Sequence, residues 1–586
     1  MSKYILGINA YHPDSSAALI KDGVLIAAVE EERFTRIKHW SGFPGQAINF
    51  CLTKAKISIN DIDIIAINNN TNSNFLRKFI FAIFNITNIK NLKNKIERFN
   101  NKKSFSKELY NKINLKDFQG HIVEVEHHLS HLSSAFYVSP FSKATVVSVD
   151  GFGDFASTAW GVGNNNKINC EGKIFFPHSL GIFYQCLTQF LGFYHFGDEY
   201  KVMGLAPYGN PIYLEQMKNI VILKSHGRFQ LNLKFFKHHL GNVDSGWDEG
   251  KPFTKTIFTN ELINLLGKAR TPNEEISQIH KDIASSVQAM YELAFFNLLN
   301  YLYSKHGNDS IALAGGCAAN SVANGKILLK TRYKYIYVQA AAGDAGGAIG
   351  SAFSAYFSKY NRRRNFIMDH SYWGPEYTND QIIPLLNQNI HFNINNFRPL
   401  FIENESTLCE HVAKHISDGS VVGWFQGAME WGPRALGNRS ILCDPRRIDM
   451  KDILNIKIKR RESFRPFAPS IIKEKVNDWF EVDDNVPFMM QVYQIKANKR
   501  NEIPAVCHVD GSGRLQTVTE LNNSRYYRLL NEFNRITGVP ILLNTSFNEN
   551  EPIVCTPIEA FNCFLRTNMD ILVLNNYIFS RVHLNI

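Results

Sequence analysis

The segment Glu126–Phe136 contains histidines at a spacing that suits metal binding. If the segment is a helix, His127 and His131 lie one turn apart on the same face, so their imidazole rings can bind a single ion. His128 is three residues from His131, which is also a one-turn spacing. The spacing therefore predicts two histidine ligands but leaves open which histidine is the first of them.

A buried strand that ends in a carboxylate follows this segment. The apolar, β-branched run Ala144–Val149 predicts the strand, and Asp150, Gly151 and Gly153 predict a tight turn at its end. An aspartate added to two histidines makes a ligand set for a hard-to-borderline divalent metal ion. The sequence therefore predicts a metal site shared by a helix and an adjoining strand end.

Two later glycine-rich turns predict further loops of the same site. Ser310–Ala314 predicts a strand that runs into Gly315 and Gly316 and then into a helix, and a second turn of this form carries Asp344. The beginning of such a helix presents free backbone N–H groups, which bind anions such as phosphates. Glycine also permits close helix packing, so a single glycine-rich turn is weak evidence for anion binding. The presence of two such turns strengthens the prediction.

The chain opens with a strand, a polar loop and a hairpin, the order in which actin-like ATPase domains begin. Tyr4–Asn9 predicts the strand, the loop after it contains His12 and Asp14, and an Asp-Gly pair at Asp22 predicts the hairpin turn. In actin-like domains this loop faces the nucleotide phosphates. The charged run Glu30–His39 follows and predicts a second loop at the site.

Cationic residues lie in stiff loops of the C-terminal part of the chain. Arg434 follows Pro433, which favours the start of a turn or helix, and Arg465 lies between aromatic and proline residues. Loops of this kind hold a guanidinium fork ready for bidentate phosphate contact. Arg434 and Arg465, together with Lys459 and Arg514, predict a pocket that binds phosphate groups.

Length and composition predict a cytoplasmic protein with several domains. The 586 residues suffice for two or three domains, and 45% hydrophobic with 20% charged residues is an ordinary globular composition. The first residues lack the layout of a signal peptide, and no apolar run reaches the ~18 residues of a membrane helix. The nine cysteines form no Cys-x-x-Cys pair, which indicates neither a disulfide framework nor a zinc ribbon.

The net charge of +11 raises the question of a nucleic-acid partner. Eleven Lys and Arg residues lie within Asn68–Lys116, where the acidic residues are Glu97 and Glu108. The segment is also rich in Asn and Ile, and a genome rich in A and T produces the same bias. We therefore expect no nucleic-acid partner.

The whole set of motifs resembles the O-carbamoyltransferases of the nodulation-factor and antibiotic-tailoring family, over nearly the full chain. The matching blocks are Glu30–His39, His127–Phe136, Asp198–Gly209, Gly432–Ser440, Phe464–Pro469 and Leu543–Asn548. The resemblance implies an α/β fold with an N-terminal, duplicated actin-like (ASKHA) ATPase-type domain at 1–365. It further implies a connector at 366–400 and a YrdC-like α/β domain at 401–586.

The resemblance implies an ATP-dependent O-carbamoyltransferase. The YrdC-like domain would make carbamoyl adenylate from carbamoyl phosphate and ATP with Mg²⁺. The actin-like domain would hold a divalent metal ion, Fe²⁺, and transfer the carbamoyl group to a hydroxyl of a small molecule such as an antibiotic, a sugar or another secondary metabolite. No nucleic-acid or membrane partner is implied, and the protein would act in the cytoplasm as a monomer or homodimer.

The same resemblance assigns site residues position by position. The implied metal ligands are His127, His131, Asp150 and Asp344, and the implied catalytic residues are His12, Lys459 and Arg465. The residues implied to bind substrate or nucleotide are Lys38, Asp14, Gly151, Gly153, Gly315, Gly316, Asn320, Arg434, Arg514 and Asn544. Ala428 departs from the family pattern, in which arginine is common at this position, and this predicts weaker substrate affinity.

Three alternative functions were compared with this interpretation. A tRNA threonylcarbamoylation enzyme would account for the basic charge. A hydrogenase-maturation carbamoyltransferase shares both domain types, but it carries an acylphosphatase module and paired Cys-x-x-Cys zinc sites that this sequence lacks. A nucleotide-gated binding protein of the actin-like class would need neither the His/Asp set nor the second cationic domain. Acceptor specificity is expected to reside in Asn68–Lys116 and Gly227–Phe258.

Overall fold

A computed structural model describes residues 2–70, 72–84, 118–240, 245–388, 397 and 399–581. Contacts between residues divide the chain into two compact units. Unit 1 comprises 1–320 and 327–368, and unit 2 comprises 321–326 and 369–586. Of the two segments expected to select the acceptor, residues 71, 85–117 and 241–244 lie outside the described residues.

Unit 1 builds two sheets from its strands. Its strands are β1 (Tyr4–Asn9), β2 (Ser16–Lys21), β3 (Val24–Glu30), β4 (Ile64–Ile67), β5 (His121–Glu124), β6 (Lys143–Gly153), β7 (Ala156–Asn164), β8 (Lys167–Phe175), β9 (Val221–Leu223), β10 (Phe229–Leu231), β11 (Ser245–Asp248), β12 (Lys251–Thr254), β13 (Ser310–Ala314) and β14 (Tyr335–Val338). In the described part of the chain, β9 pairs with β10 and β11 with β12 in two short ribbons.

The two main sheets of unit 1 repeat one topology. In the described residues their strand orders are β3-β2-β1-β4-β5 and β8-β7-β6-β13-β14. In each sheet the first three strands along the chain form an antiparallel meander, and the fourth and fifth strands continue it in parallel. This repetition confirms the predicted duplicated, actin-like α/β domain.

The α-helices of this part of the chain belong to unit 1, with one short helix of unit 2 among them along the chain. They are α1 (Glu32–Thr35), α2 (Gly45–Ala55), α3 (Phe75–Phe84), α4 (His127–Phe136), α5 (Leu180–Phe190), α6 (Glu199–Leu205), α7 (Leu214–Ile220), α8 (Asn260–Leu266), α9 (Gln278–His306), α10 (Ser321–Gly325, in unit 2), α11 (Ile327–Lys330) and α12 (Gly346–Tyr360). None of the helices in the described residues is long and apolar enough to cross a membrane.

Glycines allow α12 to pack directly on its neighbours. A Cβ atom at Gly350 would lie 1.8 Å from the carbonyl oxygen of Ser130 in α4. A Cβ atom at Gly7 in β1 would lie 1.9 Å from the carbonyl oxygen of Ala348. Because α12 touches the backbone of both elements, it holds α4 and the first sheet in one rigid arrangement.

Most local predictions for unit 1 agree with the observed elements, but the run Glu30–His39, predicted as a loop, contains α1, and one strand is longer than predicted. The predicted strand Tyr4–Asn9 is β1, and Asp22 and Gly23 form the hairpin turn with φ of 50° and 82°. The strand predicted at Ala144–Val149 runs on to Gly153. The apolar pattern ends where the strand reaches the site, but the backbone continues to pair with β7 after a register shift.

Unit 2 contains a nine-stranded mixed sheet in its described residues, in the order β15-β23-β22-β16-β17-β21-β18-β20-β19. Its strands are β15 (Leu400–Phe401), β16 (Val422–Phe425), β17 (Arg439–Cys443), β18 (Ala468–Ile472), β19 (Gln491–Gln494), β20 (Ser512–Val518), β21 (Ile541–Ser546), β22 (Ile571–Leu574) and β23 (Tyr577–Ser580). Its helices include α13 (Asn379–Asn387), α14 (Glu405–Ser417), α15 (Met450–Asp452), α16 (Val476–Trp479), α17 (Ser524–Thr537) and α18 (Pro557–Arg566). The unit is an α/β domain, and its likeness to YrdC remains a prediction.

Candidate functional site

Four side chains of unit 1 converge at one point. His127 and His131 come from α4, Asp150 from β6, and Asp344 from the turn before α12. One ligand atom of each lies within 4.8 Å of all the others. The two histidine Nε2 atoms are 3.0 Å apart and lie 3.1 and 3.0 Å from Oδ2 of Asp150. Oδ1 of Asp344 lies 3.6 Å from both.

This cluster fits a divalent metal ion. Two atoms that are each about 2.1 Å from one ion lie roughly 3.0–3.4 Å apart, close to the separations observed here. Two imidazole nitrogens at 3.0 Å also need a positive charge or a proton between them. Two histidines and two aspartates are a donor set that suits a borderline divalent ion, and His127, His131, Asp150 and Asp344 would hold it.

The carboxylate of Asp150 is positioned by the backbone. Its Oδ1 atom accepts hydrogen bonds from the N–H groups of Gly151, at 2.8 Å, and Gly316, at 3.0 Å. Its Oδ2 atom therefore faces the histidines. Gly315, with φ of 88°, brings the loop after β13 against Val149, since a Cβ atom there would lie 2.3 Å from the Val149 carbonyl oxygen. The Gly316 N–H that was predicted to bind a phosphate thus binds a metal-ligand carboxylate.

The first turn of α4 is held by two acidic side chains. The carboxylate of Glu126 accepts from the N–H of Leu129 at 2.8 Å and caps the helix. Oδ2 of Asp154 accepts from the N–H groups of His127, at 2.9 Å, and Asn70, at 2.8 Å. The two hydrogen bonds fix the backbone at the first ligand.

His128 turns away from the cluster. Its Nδ1 atom lies 3.0 Å from Oγ of Ser148, and the ring is fully buried. Burial, followed by the charge of His127, lowers the pKa of His128 to about 3. Spacing left the choice of first ligand open, and the packing of His128 against Ser148 leaves His127 in that position.

The charges in the metal cluster depend strongly on one another. Burial lowers the pKa of His131, but hydrogen bonds to Asp150 and Asp344 outweigh it and raise the pKa to about 9. Burial alone would raise the pKa of Asp150, but the hydrogen bonds from the two histidines hold it well below its usual value. Burial and the charge of Asp150 raise the pKa of Asp344. Protons and a metal ion therefore compete for the same atoms.

Packing orients the first ligand ring. The Nδ1 atoms of His127 and His131 are buried without a hydrogen-bond partner among the described residues, so no outer carboxylate fixes the two rings. The backbone of Gly153 lies against His127 instead, since a Cβ atom at Gly153 would lie 2.0 Å from its Cδ2. A Cβ atom at Gly151 would have no neighbour within 4 Å.

We expect Gly153→Ala to weaken metal binding by about 10–100-fold, because the added methyl group must displace the His127 ring. Gly151→Ala is the matched control, since it adds the same group two residues away in open space and should leave the affinity unchanged. Competition with a chromophoric chelator measures both affinities. Equal affinities for the two variants would show that the His127 ring is not positioned by Gly153.

The loop that precedes β2 brings further predicted residues to the cluster. Nδ1 of His12 lies 3.9 Å from Oδ2 of Asp344, and the rings of His12 and His127 are 5.2 Å apart. Asp14 lies 2.8 Å from Nδ1 of His39. Burial lowers the pKa of His39, but the charge of Asp14 outweighs it and raises the pKa to about 9. Lys38, predicted to bind substrate, is exposed.

Asn320 lies in a side-chain network. Its amide donates to Oε1 of Gln288 at 2.9 Å, and its own oxygen accepts from Nε2 of Gln288 at 3.1 Å. The hydroxyl of Tyr184 donates to the same Gln288 oxygen at 2.9 Å. The network ties the loop after β13 to α5 and α9. Asn320 therefore positions the loop after β13, in addition to the nucleotide contact predicted for it.

Arginines of unit 2 form a second, cationic cluster. Burial, followed by the positive charges of Arg434, Arg461 and Arg465, lowers the pKa of Arg514 well below its usual value. The Nε atom of Arg514 is buried without a hydrogen-bond partner within the described ranges. Nη1 of Arg465 lies 3.4 Å from the carboxylate of Glu462. Mutually repelling guanidinium groups of this kind favour the binding of a multivalent anion.

Lys459 is buried beside this cluster, and its ammonium group donates hydrogen bonds to three oxygen atoms. The Nζ atom donates to the carbonyl oxygens of Ser546, at 2.5 Å, and Asn548, at 2.6 Å, and to Oδ1 of Asn548 at 2.8 Å. Burial, and then the charge of Arg461, lower the pKa of Lys459 well below its usual value. The lysine connects the chain before β18 to the end of β21.

Two buried side chains, Glu430 and Arg439, stabilise the loop before β17. Oε1 of Glu430 accepts from the N–H groups of Leu436, Asn438 and Arg439 at 2.7, 2.8 and 3.2 Å. The Arg439 guanidinium is completely buried, donates to backbone carbonyls and lies 3.6 Å from the centre of the Phe425 ring. Arg439 therefore stabilises the loop that carries Arg434.

Asn544 also anchors this loop. Its amide donates to the carbonyl oxygen of Ala435 at 3.3 Å, to Oγ of Ser470 at 3.1 Å and to Oε1 of Gln516 at 2.9 Å. Its Oδ1 atom is buried without a partner in the part of the chain described. The oxygen that remains is the atom with which Asn544 can bind a ligand.

Sequence reasoning missed two residues that matter here. Arg461 belongs to the cationic cluster and donates from Nε to Oδ1 of Asn455 at 2.8 Å. The run Lys459–Arg461 was its only signal, because neighbouring cations do not show which of them points into a pocket. The sequence around Glu430 does not indicate its role, and only the fold shows three N–H groups around its carboxylate.

Comparisons with known proteins cover nearly the full chain. A family model described as Carbamoyltransferase N-terminus matches residues 4–353, and one described as Carbamoyltransferase C-terminus matches residues 413–581. An uncharacterized protein of Synechocystis sp., sll1178, is 40% identical over 99% of this chain and 97% of its own length. The nodulation protein NolNO of Sinorhizobium fredii is 36% identical over 98% of this chain and 80% of its own.

The likeness to solved structures is more distant. Component A of (R)-2-hydroxyglutaryl-CoA dehydratase from Acidaminococcus fermentans has 15% sequence identity and a TM-score of 0.33. The match covers 61% of this chain and 100% of that protein.

Proposed function

The chain belongs to the carbamoyltransferase family, and from this we propose that it is an ATP-dependent O-carbamoyltransferase. With water, it converts carbamoyl phosphate and ATP to carbamoyl adenylate and releases phosphate and pyrophosphate. It then transfers the carbamoyl group to a hydroxyl of a small molecule and releases AMP. The acceptor is an antibiotic, a sugar or another secondary metabolite. We propose that it does so in the cytoplasm, as a monomer or homodimer, without a nucleic-acid or membrane partner.

The cationic cluster of unit 2 supports the adenylation step. ATP with Mg²⁺ and carbamoyl phosphate bring several phosphate groups to one place, and their negative charges relieve the repulsion among Arg434, Arg461, Arg465 and Arg514. Bidentate contacts from the guanidinium forks then orient the phosphates. Lys459 and Asn544 hold the surrounding loops, and the loss of the family's common arginine at Ala428 leaves this cluster to carry the binding.

The cluster in unit 1 supports the transfer step. His127, His131, Asp150 and Asp344 would hold a divalent ion, which we propose is Fe²⁺, and the ion would supply Lewis-acid polarisation of the carbamoyl group or neutralisation of the phosphate. His12 lies beside the ligands and takes the proton of the acceptor hydroxyl as general base. Asp344 faces His12 and stabilises the imidazolium that results. Asp14 lies two residues after His12 and contacts His39, the neighbour of Lys38, and Gly316 donates to Asp150, so we propose that Asp14, Lys38 and the loop at Gly315 orient the substrates.

One observation carries this proposal: the convergence of two histidines and two aspartates from separate elements next to His12. The test is pyrophosphate release from ATP that depends on carbamoyl phosphate, followed by mass spectrometry of candidate acceptors for the added carbamoyl group. Absence of both activities in metal-loaded protein would contradict the proposal.

A tRNA-modifying enzyme is the alternative with the clearest separate prediction. We expect that tRNA binds weakly and that binding disappears at moderate salt, because a charge excess without a recognition site gives only screened phosphate contacts. Most of the basic segment Asn68–Lys116 lies outside the described residues, so the measurement is made on the full chain. Electrophoretic mobility shifts at rising salt are the assay, and tight, salt-resistant, sequence-selective binding would favour the tRNA function.

A further inference from the structure

An aromatic surface borders the turn that carries the metal ligand Asp150. We name it the aromatic rim, and its members are Phe81, Phe152, Phe155, Phe176 and His238. The ring of Phe176 is central, with centroids 5.0 Å from Phe81, 5.0 Å from Phe152 and 5.3 Å from Phe155. The His238 ring stacks on Phe152 at 5.9 Å. All five residues are partly exposed, so in the described part of the chain the rim is not fully buried.

The rim is continuous with the metal cluster. Phe152 is two residues from Asp150 on β6. Phe155 directly follows Asp154, whose carboxylate accepts the N–H of His127 at 2.9 Å. Gly151, between Asp150 and Phe152, faces open space, since a Cβ atom there would have no heavy atom within 4 Å. The rim therefore adjoins the candidate metal cluster through β6 and through Asp154.

The position of Phe155 is conformationally strained. Asp154 and Phe155 have φ of 46° and 71°, and they form the tight turn between β6 and β7, where Gly153 pairs with Ala156. A turn with two positive φ values normally has glycine at its second central position. A bulky side chain in this backbone conformation costs free energy, and such outliers concentrate at functional sites. This strain is explained if function requires the Phe155 ring at this position.

The rim offers neutral aromatic surface. Burial, outweighing a hydrogen bond to the Pro177 carbonyl, lowers the pKa of His238 to about 4, so the imidazole is uncharged at neutral pH. Two cations of α3 have partners of their own: the Arg77 guanidinium lies 5.0 Å from the Phe175 ring, and Lys78 interacts with Asp154 and Glu126. Aromatic faces stack against apolar ring surfaces, and the neutral His238 adds no charge that would attract an anion.

We propose that the aromatic rim binds the carbamoyl acceptor through an apolar ring face, so that the acceptor is an uncharged, ring-bearing hydroxyl compound. This inference rests on the proposed carbamoyl transfer, because the acceptor is the reactant that must bring a hydroxyl to the metal cluster from its surroundings. Phe152 and Phe155 contact the ring, and Phe81 and Phe176 support them from behind.

Binding of two matched probes tests the inference. Phenyl β-D-glucoside and methyl β-D-glucoside carry the same sugar hydroxyls and differ in one apolar ring, and kanamycin serves as a cationic probe. Calorimetric titration of the full, metal-loaded chain should show that the phenyl compound binds at least about tenfold more tightly than the methyl compound. Equal affinities, no binding of either glucoside, or tighter binding of kanamycin would overturn the inference.

Variants locate the preference on the rim. Phe155→Gly removes the ring and also the backbone strain, so it should fold with a melting temperature at or above that of the wild type while losing most of the preference for the phenyl compound. Phe81→Ala should lose it as well. Tyr335→Ala, which removes an exposed aromatic ring on the edge strand β14, is the control and should retain it. A preference that persists in both rim variants would overturn the inference.

The outcome is distinguishable from failure of the proposed function. If the phenyl preference holds and no acceptor is ever carbamoylated, carbamoyl transfer is wrong and the ring-binding surface stands as a binding site. If carbamoylated product forms with no preference for a ring, carbamoyl transfer stands and the rim is part of the packing of α3 against the β6–β7 turn.

Discussion

Replacing His12 with alanine should lower carbamoyl transfer by roughly 10²–10⁴-fold while carbamoyl-phosphate-dependent pyrophosphate release continues. His12 belongs to unit 1, where its Nδ1 atom lies 3.9 Å from Asp344, and the proposed chemistry uses it only after the adenylate exists. Two assays on the variant decide the matter: pyrophosphate release without acceptor, and carbamoylated product with acceptor.

Arg465→Ala should show the opposite pattern. It removes a forked donor from the cationic cluster of unit 2, where the phosphate charge changes during reaction, and should cost on the order of 10²-fold or more in pyrophosphate release. Product formation falls with it, because no adenylate is supplied. Arg535→Ala is the control, since this exposed arginine pairs with Glu410 and Glu532 on the surface of the same unit.

The pair of variants separates two models. If His12→Ala and Arg465→Ala both fold and lose pyrophosphate release equally, one shared site performs both steps and the division of labour between the units is wrong. Circular dichroism and melting temperature establish folding. Wild-type activity in Arg535→Ala shows that loss of a positive charge alone has no effect.

The second large effect concerns the metal. We expect about one divalent ion per chain, and its complete loss in the folded double variant His127→Ala/His131→Ala, because two of four ligands disappear. Elemental analysis of purified protein gives the stoichiometry and identifies the metal, for which Fe²⁺ is the expected result. Transfer activity should be lost in the double variant, while pyrophosphate release remains.

His128→Ala is the matched control for this experiment. It removes a histidine from the same turn of α4, but His128 contacts Ser148 and not the cluster, so the metal content should stay at that of the wild type. Full metal occupancy in the double variant would contradict the assignment of the ligands. Loss of metal in a folded His128→Ala variant would show that the ligand pair is His128 and His131.

Local features of unit 1 followed from the sequence because they depend on neighbouring residues. A hairpin turn at Asp22 and Gly23 needs only two residues that accept positive φ, and both have it. The one-turn spacing of His127 and His131 and the carboxylate at the end of β6 are set within a short stretch of chain. The apolar runs that predicted β1 and β13 likewise need no long-range information.

The same local patterns also have limits that the fold makes visible. The β6 strand extends past its apolar run because pairing with β7, not side-chain polarity, decides where it ends. Both glycine-rich turns predicted an anion site. In the fold, Gly316 of the first turn donates to Asp150, and Gly350, after the second turn, allows α12 to touch α4. Identical sequence patterns therefore serve different contacts, which residue type alone does not distinguish.

The composition of the site was decided by tertiary structure. By spacing, His127 and His128 were equivalent, and the position of Ser148 on β6 separates them. Asp344 was assigned as a ligand through the resemblance alone, and the parallel arrangement of β13 and β14 with β6 brings its turn to the histidines. Arg461 joined the phosphate cluster, and Phe155 the aromatic rim, for the same reason. Side chains from distant segments meet only when strand order and register are set, and these depend on the whole core.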